Sequence, residues 1–340
     1  MNMKKMHELT GFSYSTISRV LNGKAEEFRI SKETSKKIFE VAKLLNYRPS
    51  MLARSLRLKK TMTIGLIVSD IQNPFFGEFA SRIEKSLRQN GYSTILCNTN
   101  EISENEEFYL KVLEDRQVDG IIIAPIHTEE WPYIKTLRHD KPLVLIDRIF
   151  YNTDLSWVTS DNIRGAEAVT EEMIRLGYRH IAYLGGTPNT YINDVRYKGF
   201  QNSLNKHSLI VNEDLVLFKG YSAEAGEEMM ETIFAKRGDL QAVFCVNNLV
   251  FFGALKVVQK IESESKRHIL ISAFDVGRYC NFIQRPLICA NQDLEKLAES
   301  AINLLLDRIK GKPKHNHQIV IPISVKKYRI EWNSPWQAAG

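Results

Sequence analysis

Thr63-Ile-Gly-Leu-Ile-Val-Ser-Asp-Ile-Gln-Asn-Pro-Phe-Phe76 is a short unbroken apolar run, then polar residues, then an Asn-Pro pair of the kind that opens a helix. A continuous Val/Ile/Leu strand with no polar alternation belongs in a sheet covered on both faces, and Asn73 followed by Pro74 supplies an N-cap and a first-turn proline. The same cadence repeats along the chain. Strand-like runs are Ile64 to Val68, Thr94 to Cys97, Gly120 to Ala124 and Leu143 to Ile146, then His180 to Leu184, Ala242 to Val246 and Ile269 to Ala273. Helical stretches alternate with them over Phe75 to Asn90, Asn105 to Arg116, Ile163 to Leu176 and Leu249 to Ile261. Alternation of this kind predicts an α/β body of parallel, doubly wound sheets, long enough for two lobes.

Ligands of such folds sit at the carboxyl ends of strands. The polar residues there are Ser69, Asp70 and Asn73 after the first strand, Asp147 and Arg148 after the fourth, and Asp161, Arg196, Asn247 and Asp275 in the second half. Asn291-Gln292-Asp293 follows a crossover-like strand. Carboxylates, amides and arginines mixed with aromatics suit a polyol or sugar phosphate. Each also has a local reading: Asp70 and Asp161 fit helix N-caps, Asp147 and Arg148 fit a local pair, and Tyr221 fits the core.

Ahead of the body the pattern is helical. Lys4 to Thr10 predicts a first helix broken at Gly11, and Ser13 caps a second that runs from Tyr14 to about Leu21 and stops at Asn22-Gly23. A third opens at Ser31, with Ile38, Val41, Ala42 and Leu45 at packing intervals. In the second helix Ile17, Val20 and Leu21 share the inner face. Tyr14, Ser15 and Arg19 lie outward, where a helix in the major groove presents groups to base edges. Arg19 suits a bidentate guanine contact, while Ser13, Thr16 and Asn22 suit phosphates.

Charge follows this division. Of 46 Lys and Arg and 40 Asp and Glu in the 340-residue chain, residues 1–60 hold 14 and 5, a balance of +9, and the remaining 280 carry −3. A basic lobe on a mildly acidic body is the footprint of a protein that holds nucleic acid at one end. Between the two, Tyr47-Arg48-Pro49 leads into the Leu- and Arg-rich segment 50–60. It is too short for a stable isolated helix and is expected to order only with support from a second copy and DNA. Leu56 there is a candidate minor-groove wedge, with Arg54 among the flanking cations that hold phosphates.

At 44% hydrophobic and 25% charged, the composition excludes collagen-like, extended disordered and low-complexity chains. No apolar run approaches membrane-span length, and MNMKKMHELTG has no signal-peptide core, so a cytoplasmic protein is expected, with no membrane partner. Cys97, Cys245, Cys280 and Cys289 lie far apart, indicating neither a disulfide framework nor a zinc cluster. Phosphate-loop, dinucleotide, nucleophile-elbow and His-Glu-x-x-His motifs are all absent, and no cofactor is expected. An α/β enzyme or a sugar-binding protein with a basic anchoring head are the alternatives.

Several phrases, in order and with fitting spacing, resemble one family. They are Gly11-Phe-Ser-Tyr-Ser-Thr-Ile-Ser-Arg-Val-Leu-Asn-Gly23, Tyr47-Arg-Pro49, Ala53-Arg-Ser-Leu56, Ile64-Gly-Leu-Ile-Val68, Asn73-Pro-Phe-Phe76, Val118-Asp-Gly-Ile-Ile122, Arg196-Tyr-Lys-Gly-Phe200 and Phe274-Asp275. From residue 2 to about 330 the chain is similar to the lactose/galactose repressor (LacI/GalR) family. The longer turn Gly23-Lys-Ala-Glu-Glu-Phe-Arg-Ile-Ser31 is similar to its fructose-repressor branch. The resemblance implies a transcriptional regulator, not an enzyme. A homodimer, or a tetramer, would read a pseudo-palindromic operator, with a periplasmic-binding-protein-like body whose lobes close on a small sugar or sugar phosphate.

It also implies domains: a helix-turn-helix over 1–48, a hinge over 49–61, an effector domain over 62–330 and a tail over 331–340. Within the effector domain one lobe takes about 62–160 and 293–319, and the other about 161–292 and 320–330. It puts Tyr14, Ser15 and Arg19 at base-reading positions and Leu56 at the wedge. The effector residues it implies are Asp70, Asn73, Phe75, Arg148, Asp161, Arg196, Tyr221, Asn247, Asp275 and Gln292. Tyr221 would stack on the ligand, Arg196 and Asp275 would grip it, and Arg148 would add a second positive site suited to a phosphorylated or acidic effector. Three departures stand out: His7 where the first helix usually buries a small alanine, Asn248 for the usual Asp, and Phe251 for a small residue at the expected pocket edge.

Overall fold

The computed structural model describes residues 3–47, 60–265, 267–311 and 317–330, and it divides at Thr61 into a head and a body. Arg54 and Leu56, most of the 49–61 hinge and the 331–340 tail lie outside the described residues.

The head has three helices, α1 (Met3–Thr10), α2 (Tyr14–Leu21) and α3 (Lys32–Leu44). Ser13 and Ser31 cap α2 and α3 by accepting the amides of Thr16 and Thr34 at 3.2 and 3.1 Å, and Gly11 turns the chain at φ 73°. Met6, Ile17, Val20, Ile38, Ala42 and Leu45 form its core. His7 does not fill the alanine's buried place. Its ring lies exposed, 4.9 Å from the Tyr14 ring, and Nδ1 bonds the Phe12 carbonyl at 2.7 Å, so the core closes on Met6 instead.

The body carries two six-stranded sheets. The first is built from β1 (Thr63–Val68), α4 (Pro74–Gln89), β2 (Ser93–Asn98), α5 (Ser103–Asp115), β3 (Gly120–Ile123), α6 (Pro132–Asp140), β4 (Leu143–Ile146) and β5 (Ser156–Ser160). The chain then crosses to the second sheet through α7 (Asn162–Arg175). There follow β6 (Ile181–Gly185), α8 (Tyr191–Lys206), β7 (Val216–Phe218), α9 (Ala223–Lys236), β8 (Ala242–Cys245), α10 (Asn248–Ser265), β9 (Leu270–Phe274) and β10 (Leu287–Asn291). It returns with α11 (Leu294–Ile309) and β11 (Gln318–Ile321), and crosses a third time to β12 (Ser324–Tyr328).

Strand orders are β11-β5-β4-β3-β1-β2 and β12-β10-β9-β8-β6-β7. All pairs are parallel except β10 with β12. Because β11 stays in the first sheet to Ile321, the return falls after the 319 boundary expected from sequence. Buried Ile, Val and Leu of the strands dominate both cores, as the apolar runs require.

One close approach sets up the chemistry that follows. A Cβ on Gly199 would stand 2.4 Å from the Ile163 carbonyl, so only glycine lets α8 come this near α7. That approach brings Arg196 against Asn162.

Candidate functional site: a basic helical head and an interlobe cleft

On the head, α2 presents Tyr14, Ser15 and Arg19 to solvent and turns Ile17 and Val20 inward. Ser13 Oγ lies 2.8 Å from Ser15 Oγ and 2.9 Å from Thr16 Oγ1, a hydroxyl cluster at the helix N-terminus. The Arg19 guanidinium rests 3.9 Å from the centre of the Phe28 ring, so the long turn after α2 supplies a platform that pre-orients it. Asn22 is differently engaged. It is the C-cap of α2, its side chain donating to the Ser18 carbonyl at 2.5 Å, which leaves it less available to a phosphate than the sequence suggested.

In the body, eight of the ten residues named for an effector line one cleft where the two sheets' strand ends face each other. Asn73, Phe75 and Arg148 come from the first lobe, and Arg196, Tyr221, Asn247 and Asp275 from the second; Gln292 is on the crossover. Asp70 and Asp161 are not among the lining residues. Asp161 caps α7 through the Arg164 amide at 3.2 Å, the N-cap role it also fitted, whereas Asp70 accepts the Gln72 amide at 2.9 Å in the turn before α4, whose N-cap is Asn73.

Four further residues line the cleft: Phe76, Asp147, Ile192 and Asn248. Asp147, one of the polar strand-end residues legible in sequence, follows β4 beside Arg148. Asn248 donates to Asn73 Oδ1 at 2.8 Å, joining the lobes in a contact that a carboxylate at 248 would not make as a donor. Phe251 does not reshape the pocket edge: it is fully buried in the second lobe's core.

Arg196 is almost fully enclosed. Its Nε donates to Asn162 Oδ1 at 2.9 Å, Nη1 donates to the Val246 carbonyl at 2.7 Å, and Nη2 faces Asp275 Oδ2 at 3.6 Å; its plane lies 3.7 Å from the Phe274 ring centre. Gln292 donates to both Asp275 oxygens, from its amide at 3.2 Å and from Nε2 at 2.8 Å. Asp147 and Asp275 end β4 and β9 with φ of 62° and 59°, left-handed values that non-glycine residues hold only where their surroundings impose them.

Burial pushes the Asp147 carboxyl up to about 6 against the pull of Arg196 and Arg148, and burial raises Asp275 too. Burial opposes the charge of Arg148, but Glu101 more than offsets it and its pKa ends above the usual value. Only about 30 Å³ remains open between the lining residues, below the roughly 300 to 1,000 Å³ of ordinary ligand sites, so the lobes must part to admit a ligand. A wider recess of about 550 Å³ adjoins it, sharing Phe75, Asp275 and Gln292.

Comparison with known proteins settles the family. Residues 61–329 match the model for periplasmic binding proteins and the sugar-binding domain of the LacI family, and residues 2–50 match that for bacterial regulatory proteins of the lacI family. The chain belongs to the LacI family. It is therefore a DNA-binding transcriptional regulator and not an enzyme. Among LacI-family relatives, the PurR repressor of Histophilus somni (strain 2336) is 29% identical, the alignment covering 94% of this chain and 95% of that protein. The ribose operon repressor of Halalkalibacterium halodurans is 30% identical over 91% of each. The lac repressor dimer bound to operator and the anti-inducer ONPF superposes with a TM-score of 0.83 at 20% identity, over 96% of this chain and 98% of that one, a likeness of fold. Among the described residues no helix is long and apolar enough to cross a membrane.

The raised Asp147 carboxyl gives a testable pH dependence of LacI-family folding here. A folded pKa of about 6, above the unfolded value, means the native state holds an extra proton between the two. The stabilising contribution is thus complete below about pH 4 and lost as pH rises through about 6. In thermal melts of wild type and Asp147→Asn across that window, the variant is expected to gain on wild type as pH rises. Parallel melting curves would contradict it.

Proposed function

We propose that this LacI-family chain is a cytoplasmic homodimeric repressor whose operator affinity is set by a small sugar or sugar phosphate held between the two lobes. On this reading residues 1–48 bind DNA, 49–61 form the hinge helix, and 62–330 bind the effector. Tyr14, Ser15 and Arg19 read bases, Ser13, Thr16 and Arg54 hold phosphates, with Asn22 capping the recognition helix beside them, and Leu56 wedges the minor groove. The effector contacts are Asn73, Phe75, Arg148, Arg196, Tyr221, Asn247, Asp275 and Gln292. Asp70 and Asp161 act at one remove, Asp70 by bracing the turn before α4 and Asp161 by capping α7.

The observation that carries this reading is that one cleft is lined by polar side chains of both lobes, so any ligand there changes the lobes' relative stability when closed. A coupling of about 1 to 3 kcal/mol between cleft and head would change operator affinity roughly 5- to 150-fold. Selection of duplexes from a random pool, with and without a mixture of sugars and sugar phosphates, is the test. Enrichment of a pseudo-palindrome of about 14 to 20 base pairs, with a yield the mixture changes, is the expected result. Sequence-blind, salt-sensitive binding alone would count against it.

A further inference from the structure

We propose that Glu101 makes the cleft selective for an uncharged polyol over the corresponding phosphate ester, by withdrawing Arg148 from anion binding. The proposal rests on the cleft being the effector site.

Two arginines in a cleft suggest an anion, and their partners argue the reverse. Arg148 Nη1 and Nη2 donate to the two oxygens of Glu101 at 2.7 and 2.6 Å, a fork-to-fork pair that engages the edge a phosphate would use. The faces of the same guanidinium lie 4.9 Å from the Tyr221 ring centre and 5.9 Å from that of Phe76. Arg196 is held by Asn162 and the Val246 carbonyl, with its remaining nitrogen towards Asp275. Glu101, Asp147 and Asp275 thus set three carboxylates against two guanidiniums. A phosphate ester adds about −1.5 to −2 charges to that balance.

The polar atoms left over have the complementary chemistry. Asp147 Oδ1, Gln292 Oε1 and Asn248 Oδ1 are buried without a hydrogen-bond partner, and all three are acceptors. They call for donors, which sugar hydroxyls supply and an ionised phosphate does not.

Glu101 lies in the loop after β2 and is not a lining residue, yet its backbone aims it at Arg148. Asn100 and Glu101 are consecutive left-handed residues at φ 55° and 58°. The Glu101 amide donates to the Ser69 carbonyl at 3.0 Å, and Asn98 Nδ2 donates to Asn100 Oδ1 at 2.6 Å. Two adjacent non-glycine residues in this region persist only where the surroundings over-determine them.

Calorimetric titration of the full-length protein and its Glu101→Ala and Glu101→Gln variants is the test, using aldopentoses, aldohexoses and ketohexoses and the monophosphate of each. Wild type is expected to bind a free sugar at least about tenfold more tightly than its phosphate, and Glu101→Ala to shift that ratio about tenfold or more towards the phosphate. Glu101→Gln keeps the side chain's size and removes its charge, so a shift there too assigns the effect to charge rather than packing. A wild type that prefers the phosphate overturns the proposal and leaves the effector cleft standing. A ratio unmoved in both variants overturns the role of Glu101. Binding of neither class to any of the three proteins overturns the effector reading itself, and the proposal with it.

Discussion

Arg196→Ala is expected to lower the stability of the body by about 3 to 5 kcal/mol, a large share of the roughly 5 to 15 kcal/mol that holds a typical domain folded. The side chain is 3% exposed and Asp275 opposite is 9% exposed, so the substitution leaves a buried carboxylate without its cation. It also takes a donor from Asn162 and from the Val246 carbonyl, and the guanidinium from the Phe274 ring. Arg196→Lys should recover little, because one ammonium cannot reproduce a planar fork serving three partners. Chemical unfolding measures the loss. The deficit should narrow as pH falls, because Asp275, already raised by burial and now without its counter-charge, takes up a proton more readily. A loss below about 1 kcal/mol would show that the pair carries little of the second lobe's stability.

The second large effect concerns DNA. Arg19→Ala should weaken operator binding by about 1 to 3 kcal/mol and relax one base position, the signature of a bidentate guanine contact. Arg19 is solvent-facing, so the loss should appear in DNA affinity and not in the melting of the head. Phe28→Ala tests the platform separately: it leaves the charge and removes the surface that holds the guanidinium, and a smaller loss of the same specificity is expected. Lys59→Ala, in the segment outside the described residues, should instead weaken all sequences alike. Equal losses on operator and random DNA for Arg19→Ala would remove it from base reading.

The head was almost wholly legible in sequence because every boundary has a local cause. Ser13 and Ser31 start helices, Gly11 and Gly23 end segments at positive φ, and the apolar spacing on α3 names the core. The seven apolar strands were legible for the same reason. Helix α8 was not, because it buries Asn193, Arg196 and Ser203, so its inward face does not look apolar. Strand β5 hides likewise behind buried Ser156, Thr159 and Ser160, while β7 is three residues long and β11 and β12 lie at sheet edges.

The cleft followed from the rule that strand ends carry ligands, which found Asn73, Arg148, Asn247 and Asp275. That rule has no means of finding Glu101, whose partner is 47 residues away and which belongs to a loop. Nor does it separate Asp70 and Asp161, strand-end carboxylates that bind backbone amides, from those that face the cleft.

The return of the chain to the first sheet has a consequence for synthesis. Strand β11, by pairing Gln318 with Trp157, completes the first sheet only after β6 to β10 of the second have been made. On the ribosome the first lobe's own early segments wait, with the edge of β5 uncovered, while all of the second lobe's sheet but β12 is translated. Domains usually mature from the N-terminus, but here the earlier lobe finishes late, and that bare edge is where a stalled or truncated chain would aggregate.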